Sequence, residues 1–318
     1  MQRRSLLGAA ALSLVPASRL QAQALPQLRI FVPANPGGGW DSTGHALGNA
    51  LVAAGQAGDV SYENKGGKGG VIGLAQFVER HASDPAALMV GGYVMVGSIA
   101  LNRPAVDLSK VTPIARLTSE LLVLVVPAAS RYRKVGDVLG DLKAKPAAVS
   151  VGGGGAGGVD HMFAAMMVRA AGLDPTSLVY KPFSSGADVL AALAAGQLSA
   201  AVSGYGEFKD AIAAGTVRAL GISSKRASYG IASLTEQGVK VELANWRGVF
   251  AGAALNEPQA AALRDAVQRA TLHASWKDAL ARNSWQSAWA TGREFREAIE
   301  LDESLARVMV HLLHLKAA

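Results

Sequence analysis

Leu28-Arg29-Ile30-Phe31-Val32-Pro33-Ala34-Asn35-Pro36-Gly37-Gly38-Gly39-Trp40-Asp41 sets the architecture of this chain. A short apolar strand ends on a proline and runs into a glycine loop. A helical stretch from about Asp41 to Ala54 follows, and Asp41 or Ser42 can cap it by accepting a backbone N–H bond. The same succession returns at Ala148–Val151, Gly152–Gly158 and a helix near Asp160–Ala171. Further strands are expected near Val60–Glu63, Ala87–Val90, Leu178–Tyr180, Ala200–Val202, Arg218–Ile222 and Gly248–Ala251, with helices near Val71–His81 and Ala187–Ala195. Leu121–Val126 is almost wholly apolar, the pattern of a strand covered on both faces. From about Pro258 to His314 the chain reads as mostly helical.

Strand, loop and helix repeated many times imply a doubly wound α/β architecture. The chain has 318 residues, more than one domain usually needs, so two lobes are expected. With joins near residues 125 and 245, residues 25–125 plus 245–318 form lobe one and residues 126–244 form lobe two. The C-terminal helices return to the first lobe.

The first residues read as an export leader rather than as part of the fold. Arg3-Arg4 form a basic head, Leu6–Val15 an apolar stretch too short to span a bilayer, and Ala22-Gln23-Ala24 a small-x-small cleavage site. Residues 1–24 are therefore expected to be a signal peptide cut near Ala24, by the twin-arginine or the Sec route. No later segment is a long apolar run, so stable membrane insertion is not expected.

Composition narrows the function. The formal net charge is +7. Arg3, Arg4 and Arg19 lie in the leader, which holds no acid, so the remainder keeps 28 bases against 24 acids. That mild excess suits a small anion. No clustered basic patch with interleaved aromatics is present, which argues against nucleic acid. There is no cysteine, which removes thiolate catalysis, cysteine zinc sites and disulfides together.

The two glycine loops are the candidate site. Glycine lets backbone approach a ligand closely, and the helix behind each loop presents unpaired N–H groups and a partial positive charge. In α/β folds ligands bind beyond the carboxyl ends of strands, where both loops lie. Other motifs fail on inspection. Gly152, Gly154 and Gly157 fit a dinucleotide fingerprint, but no acid ends the next strand, Leu178–Tyr180. Lys65–Gly70 lacks the Ser or Thr that a phosphate loop needs after its lysine, and reads as a solvent-facing turn. The histidines show no metal spacing; His161, just behind the second loop, is read as fixing that loop. No Gly-x-Ser-x-Gly elbow is present, and Ser203-Gly204 has no convincing base. No cofactor, metal or catalytic residue is assigned.

Five stretches carry a resemblance. They are Phe31-Val32-Pro33 through Pro36-Gly37-Gly38-Gly39-Trp40-Asp41; Glu63-Asn64-Lys65-Gly66-Gly67-Lys68-Gly69-Gly70-Val71-Ile72-Gly73; the second glycine loop with His161; Gly196-Gln197 and the strand to Ser203-Gly204; and Ala214-Gly215-Thr216-Val217-Arg218-Ala219-Leu220-Gly221. In this order, over nearly the whole mature length, the chain resembles the substrate-binding receptors of tripartite tricarboxylate transporters, the Bug-type receptors. The resemblance implies a type II periplasmic-binding-protein fold, two α/β lobes with a ligand cleft between them, and no enzyme activity. It places ligand contacts at Asn35, Gly37, Gly38, Gly39, Trp40 and Asp41 on lobe one. On lobe two it places them at Gly153, Gly155, Gly157 and Gly158, with Gly92, Tyr93, Ser184 and Ser203 as further candidates. The chain departs from the family in lacking a hydroxyl at Gly153 and Gly158 and in carrying Ser203 where many members have Asp. The Trp40 variant and Pro182–Gly186 look closer to the tricarboxylate branch. The implied function is that of a periplasmic monomer. It captures a di- or tricarboxylate, citrate-like acids favoured, and passes it to membrane transporter subunits. The rival readings are an exported hydrolase and a ligand-presenting sensory module.

Overall fold

A computed structural model describes residues 25–315; the expected leader lies outside these residues. The first part of the described chain alternates regularly: β1 (Leu25–Val32), α1 (Gly39–Ala53), β2 (Ala57–Asn64), α2 (Val71–His81), β3 (Ala87–Gly92), α3 (Tyr93–Asn102) and the long β4 (Val111–Pro127). The middle part holds α4 (Val135–Ala144), β5 (Ser150–Gly153), α5 (Val159–Ala170), β6 (Val179–Pro182), α6 (Gly186–Ala194), β7 (Ala200–Gly204), α7 (Tyr205–Ala213) and β8 (Val217–Ile222). The last part holds β9 (Ala244–Gly252), α8 (Glu257–Leu272), α9 (Ala274–Asn283), β10 (Gln286–Thr291) and α10 (Gly292–Leu312).

The sheet has two halves joined through β4. In the first, β1 runs parallel to β2 and β3, and β3 pairs antiparallel with β9. β9 in turn lies antiparallel along β4 from Val111 to Leu121. From Leu122 onward β4 changes partners, pairing with β7 and β8, while β5 lies parallel to β6 and β7. Parallel strands joined through helices leave both sheet faces covered. The run Leu122–Val126, although antiparallel to β7 and β8, is also buried throughout. Its side chains alternate: Leu122, Leu124 and Val126 join the larger core, while Val123 and Val125 pack with Val189, Leu193 and Phe208 in the smaller one.

Local signals explain what the sequence reading missed. α3 is apolar on nearly every side and buried, so it carries no helical period to detect. α4 holds Gly136 and Gly140, which weaken its helical signal. α7 begins at Tyr205, directly after Gly204 ends β7, and buries only Phe208 fully. The C-terminal region is not purely helical: Ser284 takes a left-handed conformation (φ 57°), and β10 adds antiparallel to β4 before α10 begins. β5 starts at Ser150 rather than Ala148 because Pro146–Ala148 form a 3-10 turn. Among the described residues no helix is long and apolar enough to cross a membrane.

Candidate functional site

The carboxyl ends of β1, β2, β5 and β7 open onto a cavity of about 440 Å³ lined from both sheet halves. Of the residues expected there, Asn35, Gly38, Gly39, Trp40, Gly155, Ser184 and Ser203 stand on its wall. Gly37, Asp41, Gly92, Tyr93, Gly153, Gly157 and Gly158 do not line it.

In the first loop the helix cap is Gly38, not Asp41 or Ser42 (φ −87°, ψ 175°), and no side chain caps α1. Its first N–H groups are thereby left on the cavity side, with the positive end of the helix dipole behind them. The Asp41 carboxylate turns backwards. It accepts the Gly37 amide at 2.9 Å and Asn64 Nδ2 at 2.8 Å, which pins the loop from the rear. Gly37 takes a left-handed φ of 86° to make that turn. Gly92 ends β3 beneath Trp40, and a Cβ there would collide with the Trp246 carbonyl. Tyr93 starts α3 almost fully buried, and burial, with the Asp302 charge, pushes its hydroxyl up to about 12.

The second loop is tied to itself. The Gly154 amide donates to Asp160 Oδ2 at 2.8 Å, the Gly157 amide to His161 Nδ1 at 3.1 Å and the Gly158 amide to the Gly155 carbonyl at 2.9 Å. The Gly154 carbonyl accepts the Tyr180 hydroxyl at 2.7 Å. Gly153 lies within β5, and its carbonyl accepts the Phe183 amide at 2.8 Å. At Gly157, where φ is 76°, a Cβ would stand 2.4 Å from the Leu101 side chain of α3. Gly155 is left facing the cavity. His161 has the loop-fixing role, with its ring stacked on Tyr180 at 4.1 Å. Burial pushes its pKa down to about 4, so the ring stays neutral and Nδ1 accepts.

Several wall residues escaped the sequence reading. Lys65–Gly70 is not merely a solvent-facing turn, because Gly66–Gly70 line the cavity. A Cβ at Gly66 would collide with the Asn35 side chain, and one at Gly70 would stand 2.5 Å from the Trp40 ring. The turn also brings Lys68 to the wall at φ 46°. The floor carries Asn245 and Arg247 of β9, and Asp160 and Glu207 complete a charged set. Arg247 is ion-paired with Glu120 of β4, both almost wholly buried, and its guanidinium lies 5.2 Å from the Trp285 ring centre. A charged residue inside the apolar strand Asn245-Trp246-Arg247-Gly248-Val249-Phe250 was the available signal. Burial, with the charges of Glu207 and Glu120, pushes Asp160 up to about 7 against the pull of its Gly154 hydrogen bond. Burial and then the Glu120 charge raise Glu207. Ser203 Oγ lies 3.3 Å from Glu207 Oε2 and donates to it. Among the described residues no group of three His, Cys, Asp or Glu could hold a metal ion.

A twisted α/β sheet in two halves, with a cleft lined from both and uncapped helix amides facing it, defines a solute-binding protein of the periplasmic type. The signature described as "Tripartite tricarboxylate transporter family receptor" matches residues 49–304, and the chain belongs to that family, one of receptors rather than enzymes. A curated relative, "UPF0065 protein in tcbD-tcbE intergenic region" of Pseudomonas sp. (strain P51), is 27% identical over 229 residues, 70% of this chain and 66% of that protein. The chain thus spans about two thirds of that relative's length. The fold is also that of the periplasmic binding protein BugD, at TM-score 0.81 and 17% identity, covering 92% of this chain and 98% of that one. It is similar to MatC of Rhodopseudomonas palustris with bound malate, at TM-score 0.77 and 22% identity over 90% and 99% of the two chains. The R. palustris protein Rpa4515 with adipate gives TM-score 0.82 and 17% identity over 92% and 98%.

Proposed function

We propose that this chain is an exported periplasmic receptor that captures a small di- or tricarboxylate, citrate-like acids favoured, between two lobes. It then delivers the acid, as a monomer, to the membrane subunits of a tripartite transporter. The observation that carries the reading is the bare N-terminus of α1 at Gly38–Trp40, which opens onto the cavity with no side chain capping it. A helix N-terminus of this kind holds an anion without a cationic side chain. Lys68 on the same cavity adds positive charge. The malate and adipate held by two structurally similar proteins support a carboxylate.

Lobe one is residues 25–125 with 245–318, and lobe two is residues 126–244. The change of partners along β4 between Leu121 and Leu122 supports a division of this kind. A ligand bridging both lobes favours the closed form by its differential affinity, and the closed form is what the membrane partner recognises.

A thermal-shift screen tests the reading. At 100 times its dissociation constant a ligand adds about 2.7 kcal/mol of stability. Citrate, malate or succinate should raise the melting temperature and neutral sugars should not; a response to sugars alone ends the carboxylate reading. Asp160 and Glu207 on the cavity favour a second reading, a ligand with an ammonium group beside its carboxylate. Aspartate or glutamate acting where malate does not would establish it.

A further inference from the structure

Two buried polar atoms on the cavity floor have no hydrogen-bond partner among the described residues: Asn245 Oδ1 and Arg247 Nη1. They belong to alternate positions of β9, so both side chains leave the same face of the strand. Both residues line the cavity, whereas Trp246 between them turns the other way, onto Phe295 and Asp302. Asn245 is 7% exposed and Arg247 2%. Such atoms are costly to leave unpaired, since each forgoes a bond to water and receives none from protein.

Arg247 is held in place on every other side. Its Nη2 is paired with Glu120, whose second oxygen accepts the Gly206 amide at 2.9 Å. The guanidinium runs beneath the first glycine loop, where a Cβ on Gly39 would stand 2.6 Å from Nη2. Nη1 is left buried without a partner among the described residues. One face of β9 therefore offers a donor on Arg247, close under the first glycine loop, and two residues before it an acceptor on Asn245.

We propose that Asn245 and Arg247 form a subsite that reads a hydroxyl next to a carboxylate, so that the ligand is a 2-hydroxy di- or tricarboxylate rather than a plain dicarboxylate. The carboxylate oxygen accepts from Arg247 Nη1 and the hydroxyl donates to Asn245 Oδ1. A ligand lacking the hydroxyl leaves the Asn245 oxygen buried and unpaired, which is how a polar pocket rejects an analogue one group short. The inference rests on the carboxylate reading and sharpens it to one class of acid.

Matched pairs differing by one hydroxyl test it: malate against succinate and citrate against tricarballylate, by calorimetric titration. The wild type should bind the hydroxy acid of at least one pair tenfold or more tightly. In Asn245→Ala that ratio should fall to within twofold of one. Removing Arg247 alone strands Glu120 in the interior. Its variant is therefore Arg247→Met with Glu120→Gln, checked for a cooperative melt, and should lose at least tenfold in affinity for the hydroxy acid. If plain and hydroxy acids bind the wild type equally, or Asn245→Ala keeps the ratio, the hydroxyl subsite is wrong while carboxylate capture stands. If none of the four acids binds, both fall.

Discussion

The two glycine loops share one sequence pattern, and each opens a helix at a glycine without a side-chain cap, Gly38 before α1 and Gly158 before α5, yet they are braced to different degrees. In the first loop a single backward bond, from the Gly37 amide to Asp41, fixes the turn, and the amides at the start of α1 stay free. In the second, Asp160, His161 and Gly155 absorb three amides before any ligand arrives. A glycine loop before a helix is thus not in itself an anion cradle. What matters is how many of its amides are taken by acceptors that fold back from further on: one in the first loop and three in the second. The first loop is lightly braced, whereas the second is braced by three of its amides and presents Gly155, Asp160 and the neighbouring wall.

The largest expected effect tests the receiving role. At Gly38 a Cβ would meet nothing nearer than the Asn35 carbonyl at 3.9 Å, and φ is −87°, so Gly38→Val should fold. Its side chain would stand in the cavity mouth. Affinity for the best carboxylate should drop at least a hundredfold, about 2.7 kcal/mol. Gly155→Val, equally free of clashes, should cost at least tenfold less. Equal losses in the two variants, measured by calorimetry, would erase the distinction between the loops.

Much of this was readable from residue patterns. The strand–loop–helix succession and the apolar run at Leu122–Val126 depend on local sequence and came through, because period and burial leave a direct mark on side-chain choice. The use of each amide did not, since Asp41 and Asp160 look alike as acids in the first turn of a helix. Asp41 reaches the amide four residues back and Asn64, whereas Asp160 reaches the amide six residues back and sits among Glu207, Glu120 and Arg247. The floor was hidden for a different reason: Arg247 and Glu120 are 127 residues apart and meet only because β4 and β9 pair.

Asp160 supplies the next effect. Its folded pKa, about 7, lies above the ordinary 3.8, so the folded state holds the proton more tightly. That contribution to stability is complete below about pH 4 and is lost as pH rises through 7. Asp160→Asn keeps an acceptor for the Gly154 amide and abolishes the loss. Its stability relative to wild type, from urea unfolding, should rise by roughly 2–3 kcal/mol between pH 5 and pH 8. A difference independent of pH would mean that Asp160 is ionised throughout. His161 works in the reverse window. Its depressed pKa of about 4 makes its contribution complete above about 6.5 and lost as pH falls through 4, so neighbouring residues brace one loop against opposite ends of the pH range.

The smallest effect separates support from contact. Tyr180 donates to the Gly154 carbonyl at 2.7 Å and stacks on His161, so it touches the second loop only from behind. Tyr180→Phe keeps the stack and removes one buried hydrogen bond, which should lower stability by about 1 kcal/mol. Because the Gly154, Gly157 and Gly158 amides are already engaged within the protein, affinity for the carboxylate should change less than about threefold, or about 0.7 kcal/mol. A larger fall in affinity than in stability would mean that the second loop, like the first, grips the ligand through a backbone whose exact placement Tyr180 maintains. The asymmetry between the loops would then lie in how each is supported and not in what each does.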